Sequence, residues 1–429
     1  MITVETLYSI FQQYPVISTD TRNIIPGSLF FALKGQNFDG NTFAGFALQQ
    51  GAAFAIIDNP LFCIDSRYIL TDNVLSTLQK LAVYHRRNLK TKVIGITGTN
   101  GKTTTKELIL SVLKQKFNAL ATIGNLNNHI GVPLTLLKID TETEFVVVEM
   151  GANHLGEIEE LCNIALPEFG IITNIGKAHL EGFGSIEGII ETKSALYKHV
   201  ASIGGTVFVN CDNLLLMNLS NKQTIITYGS KSEADCRCGI TVPKPFLGMK
   251  WYSNDDILIQ TQLAGIYNFE NVMAAICIGN YFGVEPGKIK EAIVNYTPTN
   301  NRSQQLNTRT NNIILDYYNA NPSSMEASIV SFNNPAADNN VLILGDMFEL
   351  GKYAEGEHKK IIELVKSLHF NKVILAGAIF NSVSEGSGLI SLRDCESAIR
   401  WLIENPVTDS NILIKGSRGM KMECLLEYL

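Results

Sequence analysis

The run Ile94-Gly95-Ile96-Thr97-Gly98-Thr99-Asn100-Gly101-Lys102-Thr103-Thr104-Thr105 constrains the fold more than any other part of the chain. Lys92 to Thr97 is rich in β-formers, and from Thr103 onward Leu108, Ile109, Val112 and Leu113 share one face at helical spacing. A strand, a glycine-bearing turn and a helix start bring the N–H groups of the turn to the positive end of the helix, where a nucleotide phosphate fits. By the mechanics of such loops, Lys102 reaches the terminal phosphates and the Thr103 hydroxyl holds Mg²⁺. The strict pattern G-x-x-x-x-G-K-[ST] is not met, because its first glycine should fall at Ile96 and the nearest are Gly95 and Gly98. Gly98 to Thr104 is therefore a shortened G-x-x-G-K-T-T loop. Taken alone, a glycine-threonine loop with an exposed lysine is the competing reading.

At 429 residues the chain is long for one core and implies two or three domains. Residues 1–90 carry short β-like runs, Ser28 to Leu33 and Ala53 to Ile57, without a phosphate loop. Residues 91–299 alternate apolar strands (Phe145 to Val148, Gly170 to Thr173, Val207 to Asn210) with helical stretches, the signature of a mostly parallel sheet covered on both faces. After the linker-like Pro298-Thr299-Asn300-Asn301, residues 300–429 repeat the pattern with Ile313 to Leu315, Val341 to Leu344, Val373 to Ala376 and Ile412 to Ile414. Polar groups gather after these strands, at Asp316, Gly345-Asp346, Gly377 and Lys415-Gly416-Ser417-Arg418, where ligands bind parallel sheets.

A net charge of -6 gives no footprint for nucleic acid or an anionic membrane. Phe117 to Leu137 has no charged residue, but Asn118, Asn125, Asn127, Asn128, His129 and Pro133 within it argue against a membrane span. The N-terminus lacks a secretory pattern, so a cytoplasmic protein with reduced thiols is expected. Cys236-x-Cys238 has no second ligand pair nearby to make a zinc site.

Several single residues stand where chemistry needs them. Glu149 ends a buried-type strand, where a carboxylate can face the phosphate loop and hold a metal or simply be solvated. His179 follows the strand that ends at Thr173 and is a candidate second ligand, though a lone histidine is more often structural. Lys193 falls in the apolar stripe of Ile186, Ile190, Tyr197 and Val200. Burial would leave a neutral amine able to take up CO₂ as a carbamate, whereas snorkelling would keep an ammonium at the helix edge. Asn268 and Asn271 share a helix face suited to adenine or ribose, with capping by Asn268 as the alternative. Arg302 and Asp316 would meet a nucleotide only if a cleft between domains closes.

The set Gly98 to Thr104, Glu149, His179, Lys193, Asn268, Asn271, Arg302 and Asp316, in this order, resembles the Mur ligases, ATP-dependent amide-forming enzymes of peptidoglycan synthesis. Thr122 to Pro133, Ala178 to Gly184, Tyr318 to Pro322, Leu344 to Met347 with Glu349-Leu350-Gly351, and Lys415 to Arg418 resemble the branch that joins D-alanyl-D-alanine to UDP-N-acetylmuramoyl-tripeptide. The resemblance implies an α/β fold of three domains: an N-terminal UDP-sugar domain, a central P-loop parallel-sheet ATPase domain and a C-terminal Rossmann-like domain. It assigns substrate contacts to Thr21, Arg22, Lys34, Asn125, Asn127, Asn128, Asn319 and Asn321. It further implies two Mg²⁺ ions, one with Thr103 and Glu149 and one with His179 and carbamylated Lys193, and a monomer. Asn41 departs from the histidine common after Asp-Gly, and Asp58-Asn59-Pro60 is expected to be a turn. The competing readings are another ligase of this superfamily, such as a folylpolyglutamate synthase, and a P-loop NTPase without an amino-acid acceptor.

Overall fold

The computed structural model describes residues 2–220, 223–244, 246–253, 255–334 and 339–429. In the first segment four short strands pair in parallel in the order Ile17–Ser18, Leu29–Phe31, Phe54–Ile57 and Tyr68–Leu70. Helices Val4–Gln13 and Val74–Arg87 cover one face with Leu7, Phe11, Leu78 and Leu81. Helix Val74–Arg87 also packs on Gly131–Leu136 and Glu157–Ala165, so its apolar residues join a core that continues into the middle of the chain.

The middle sheet has nine strands among the described residues. They run in the order Ile257–Ala264, Phe246–Trp251, Cys236–Val242, Thr224–Gly229, Thr206–Asn210, Phe169–Ile172, Lys92–Thr97, Phe145–Glu149 and Ala119–Ala121. Pairing is parallel from Cys236–Val242 to Ala119–Ala121, and the central strands are buried on both faces, as their unbroken apolar runs require. Helices Lys102–Leu113 and Asn268–Tyr281 cover one face, and Glu157–Ala165 and Ile186–Ser202 the other. The sheet is mostly parallel, as expected, and carries an antiparallel extension through Phe246–Trp251 and Ile257–Ala264. Its cue is the two-residue alternation of exposed and buried positions in Ile257–Ala264, typical of a strand with one wet face.

The third sheet runs Gln304–Asn307, Asn311–Leu315, Ser410–Lys415, Asn340–Gly345, Lys372–Ala376 and Ile390–Leu392, parallel except for its first pair. The two edge strands were not foreseen, because both are short and neither is an apolar run. This order lays the ends of Asn311–Leu315, Ser410–Lys415 and Asn340–Gly345 side by side, so Asp316, Lys415 and Asp346 gather at one edge. Among the described residues no helix is long and apolar enough to cross a membrane.

Candidate active site

The phosphate loop is built on two glycines with left-handed backbone, Gly98 at φ 147° and Gly101 at φ 78°. A Cβ on Gly98 would lie 1.9 Å from the Thr173 hydroxyl, and one on Gly101 would lie 2.4 Å from Asn271 Oδ1, so no side chain fits either position. Lys102 opens the helix and folds over its own loop, donating to the carbonyls of Gly98 at 2.8 Å and Thr99 at 3.2 Å. Burial pushes its ammonium down to about 8, against the pull of Glu149 and with a further push from Arg302.

Glu149 is 1% exposed. Its Oε1 accepts from the Thr103 hydroxyl at 3.2 Å and from Asn127 Nδ2 at 2.9 Å, while its N–H donates to the Thr122 hydroxyl at 3.0 Å. Among the described residues Glu149 Oε2 is buried without a hydrogen-bond partner; the Lys106 ammonium lies 3.5 Å away. A desolvated carboxylate oxygen beside a threonine hydroxyl is the donor set a hard divalent cation such as Mg²⁺ takes. Lys106 itself was missed by sequence reasoning. It is 2% exposed and donates to the Thr122 carbonyl at 2.7 Å. The signal was present, since Lys106 shares a helix face with the buried Ile109 and Leu113, the argument that singles out Lys193.

Lys193 is 3% exposed, donates to the Gly98 carbonyl at 3.0 Å and sits 5.8 Å from the centre of the Phe183 ring. Desolvation, then the charge of Lys102, holds its amine well below the ordinary lysine range. The snorkelling alternative does not fit this burial. Asn268 is the first residue of its helix rather than its cap: Tyr267 precedes it, and Asn268 Nδ2 reaches back to the Ala264 carbonyl at 2.8 Å. Asn271 donates to Asn268 at 2.9 Å and accepts from the Thr105 hydroxyl at 3.0 Å, which makes a polar ladder behind the loop.

His179 lies in the segment after Phe169–Ile172, whose start is tied to the phosphate loop. Asn174 accepts from the Asn100 N–H at 2.9 Å, the Thr173 hydroxyl donates to the Asn100 carbonyl at 2.6 Å, and Gly176 donates to the Thr99 hydroxyl at 2.9 Å. The His179 imidazole pairs through Nδ1 with Glu349 of the third domain. Of the two expected metal sets, Thr103 and Glu149 are in direct contact. His179 and Lys193 share only the neighbourhood of the Phe183 ring, and among the described residues no cluster of three or more His, Cys, Asp or Glu side chains forms a metal cage.

The third domain closes the cleft. Arg302 stacks its guanidinium 3.8 Å from the Tyr318 ring centre and keeps a buried Nε without a hydrogen-bond partner among the described residues. Asp316 pairs with the buried Lys415 at 2.6 Å and accepts from the Ser328 hydroxyl at 2.7 Å and the Ser303 N–H at 3.3 Å. Asn319 turns its side-chain oxygen onto the Ala320 N–H, and Asn321 Nδ2 donates to Asn100 Oδ1 in the phosphate loop at 2.8 Å. One cavity of about 970 Å³ is lined by Thr99 to Thr104, Asn125, Asn127, Asn128, Glu149, His179, Asn268, Asn271, Arg302, Asp316, Asn319 and Asn321.

Thr21, Arg22 and Lys34 do not line that cavity. Arg22 pairs with Asp20 at 2.6 Å, and Lys34 with Asp58 at 2.8 Å. Asn41, fully buried, ties Asp39 and Asp58 together at 2.7 and 2.9 Å, so this departure is a structural clamp. The Asp58-Asn59-Pro60 turn is present as the start of the short helix Pro60–Phe62, but Asp58 is in addition a hub for Lys34 and Asn41.

A phosphate loop at a parallel sheet, facing the strand ends of a second α/β domain across a shared cleft, defines a nucleotide-dependent enzyme of the class that brings two substrates together between domains. Comparison with known families narrows the class. Residues 13–94 match the model described as "Mur ligase family, catalytic domain", residues 96–279 the Mur ligase middle domain, and residues 301–418 "Mur ligase, glutamate ligase domain". The UDP-N-acetylmuramoyl-tripeptide--D-alanyl-D-alanine ligase of Bacillus subtilis (strain 168) is 35% identical over 96% of this chain and 92% of that protein. The crystal structure of MurF from Acinetobacter baumannii is 30% identical and superimposes with a TM-score of 0.85 over 96% of this chain and 92% of that one. MurF ligase from Thermotoga maritima in complex with ADP is 26% identical, with a TM-score of 0.84 over 96% of both chains. The chain belongs to the Mur ligase family.

Proposed function

We propose that this protein is an ATP-dependent ligase that joins D-alanyl-D-alanine to UDP-N-acetylmuramoyl-tripeptide, releasing ADP and phosphate and completing the pentapeptide precursor of peptidoglycan. The observation that carries this reading over a stand-alone nucleotidase is the shared cavity, in which the phosphate loop faces Arg302, Asp316, Asn319 and Asn321 of the third domain and leaves room for an acceptor.

The tripeptide's terminal carboxylate attacks the γ-phosphorus of ATP to give an acyl phosphate and ADP. The amine of D-alanyl-D-alanine then attacks that carbonyl, the carbon–oxygen bond breaks, the amine loses a proton and phosphate leaves. Two anions must approach in line, so charge neutralisation is the main demand. Lys102 meets it by turning from the Gly98 carbonyl to the terminal phosphates. Bound Mg²⁺ would neutralise the charge shared by phosphate and carboxylate. Thr103 and Glu149 are the residues to hold one ion, supported by the buried Glu149 oxygen that accepts no hydrogen bond among the described residues. His179 and Lys193 are the residues to hold a second, once the neutral Lys193 amine adds CO₂ and releases a proton to become a carbamate. Its burial and depressed basicity support that step.

Asn268, Asn271, Arg302 and Asp316 are assigned to the nucleotide. Asn125, Asn127, Asn128, Asn319 and Asn321 are assigned to the peptide substrates, and Thr21, Arg22 and Lys34 to the UDP-sugar. We infer a cytoplasmic monomer. The test is incubation of the purified protein with ATP, Mg²⁺, the nucleotide-linked tripeptide and the dipeptide, with products followed by mass spectrometry. A product heavier than the tripeptide by one dipeptide less water is expected, with phosphate formed only when both substrates are present. Phosphate release with neither substrate would identify an NTPase instead.

A further inference from the structure

Arg302 follows the linker into the third domain, and the chain on either side of it is fastened to the middle domain. Before it, Glu107 of the phosphate-loop helix Lys102–Leu113 takes two donors from the linker. The Tyr296 hydroxyl donates to Glu107 Oε2 at 2.6 Å, and Asn300 Nδ2 donates to Glu107 Oε1 at 3.2 Å. After it, the Ser303 hydroxyl pairs at 2.6 Å with that of Tyr267, the residue before helix Asn268–Tyr281. Only then does the third domain take hold, with the Ser303 N–H donating to Asp316 at 3.3 Å and the Tyr318 N–H to the Asn301 carbonyl at 3.3 Å.

The two residues flanking Arg302 both hold left-handed backbone, Asn301 at φ 56° and Ser303 at φ 55°. Such a conformation costs a non-glycine residue free energy and persists where surrounding contacts over-determine it, often at ligand sites. What this turn secures is the direction of Arg302. Its guanidinium stacks on Tyr318, lines the cavity that the phosphate loop also lines, and its charge is felt at the Lys102 ammonium. Among the fastenings of the turn, those to Glu107 end on a carboxylate, and hydrogen bonds to an ionised acceptor are roughly twice as strong as neutral ones. The anchor therefore belongs to the same helix that begins with Lys102.

We propose that Glu107 is a positioning residue. By gripping Tyr296 and Asn300 it ties the linker to the phosphate-loop helix and holds Arg302 directed at the phosphates of a bound nucleotide, so that one helix sets both cations, Lys102 directly and Arg302 through the linker. The inference rests on the reading of Arg302 as a nucleotide contact.

The test measures binding of a non-hydrolysable ATP analogue with Mg²⁺, by titration calorimetry, to the wild-type chain, Glu107→Ala, Arg302→Ala and the double variant. Glu107→Ala should bind the analogue about 10-fold more weakly than wild type, the equivalent of roughly one hydrogen bond to a charged acceptor. In the Arg302→Ala background the same substitution should cost less than about 2-fold, because a residue that acts through Arg302 has nothing left to position. Asn300→Ala breaks the contact from the linker side and should show the same dependence on Arg302, which carries the test if Glu107→Ala does not fold. Glu107→Gln, whose amide oxygen still accepts from Tyr296, should recover part of the loss. An equal loss in both backgrounds, or no loss from Glu107→Ala and Asn300→Ala alike, would overturn the proposal. Arg302→Ala binding the analogue as tightly as wild type would overturn it through the reading on which it rests. Coupling of Glu107 to Arg302 without any peptide joining would leave Glu107's role standing and refute the ligase assignment instead.

Discussion

Asn321 uses the two ends of one amide for two purposes, and substitution separates them. Its Oδ1 caps helix Pro322–Phe332 by accepting from the Ser324 N–H at 2.9 Å, and the Ser324 hydroxyl pairs with the Asn321 N–H at 3.1 Å. Its Nδ2 crosses the cleft to Asn100 Oδ1 at 2.8 Å. A cap of this kind contributes about 1 kcal/mol, and a neutral hydrogen bond about 1 kcal/mol. Asn321→Ala loses both, about 2 kcal/mol, or roughly 8 °C in the melting temperature of a domain of this size. Asn321→Asp keeps the acceptor at a helix N-terminus, where a negative charge is favourable, so its melting temperature should stay within about 3 °C of wild type. It removes the donor, however, and sets a carboxylate oxygen against Asn100 Oδ1. Losing the bond and leaving that acceptor facing a second acceptor, now charged, costs about 2 kcal/mol of docking, close to 30-fold in kcat/KM for ATP if the cleft must be closed for reaction. Scanning calorimetry and steady-state kinetics on the two variants separate these effects. The reasoning is refuted if Asn321→Asp melts as low as Asn321→Ala while its kcat/KM equals wild type.

Three further outcomes follow from the site. Lys102 is lowered to about 8 by burial, so in the free enzyme the cation that meets the phosphates is present below that pH and lost above it; kcat/KM for ATP should fall on the alkaline side with an apparent midpoint near 8, and in Lys102→Arg any residual activity should lack that limb. The same shift has a stability sign: between about 8 and the ordinary lysine value near 10.4 the unfolded chain binds more protons, so the folding penalty of this half-buried amine eases as pH rises through that window. Lys193→Ala should lose activity that acetate or another small carboxylate partly restores, and the native chain should carry the extra mass of one CO₂; failure of both counts against the carbamate. Lys106→Met strands the buried Glu149 charge and should cost about 3 kcal/mol without metal. Because the competing ammonium is gone, added Mg²⁺ should raise its melting temperature more than it raises that of wild type, and an equal rise would remove Lys106 from the site.

The parts of this architecture that were legible in the sequence are those written in local periodicity. Phe145–Glu149 reads as a buried strand because four apolar residues precede a lone carboxylate, and Lys193 reads as buried because it interrupts an apolar stripe. The antiparallel strands Phe246–Trp251 and Ile257–Ala264 were less visible, since glycine, lysine and glutamine dilute their pattern. Contacts across domains were not legible at all. Asn100 and Asn321 are 221 positions apart, and no local signal tells that one amide donates to the other. Asn41 shows the same limit, because its clamp on Asp58 depends on how two loops of the first sheet meet.

The central claim is that a substrate carboxylate is activated by taking the γ-phosphoryl group of ATP. Labelling both oxygens of the tripeptide's terminal carboxylate with oxygen-18 tests it most directly, with mass spectrometry of the phosphate released and the amide formed. One labelled oxygen in each phosphate and one retained in each new amide is the predicted result. Unlabelled phosphate accompanying amide formation would contradict the account.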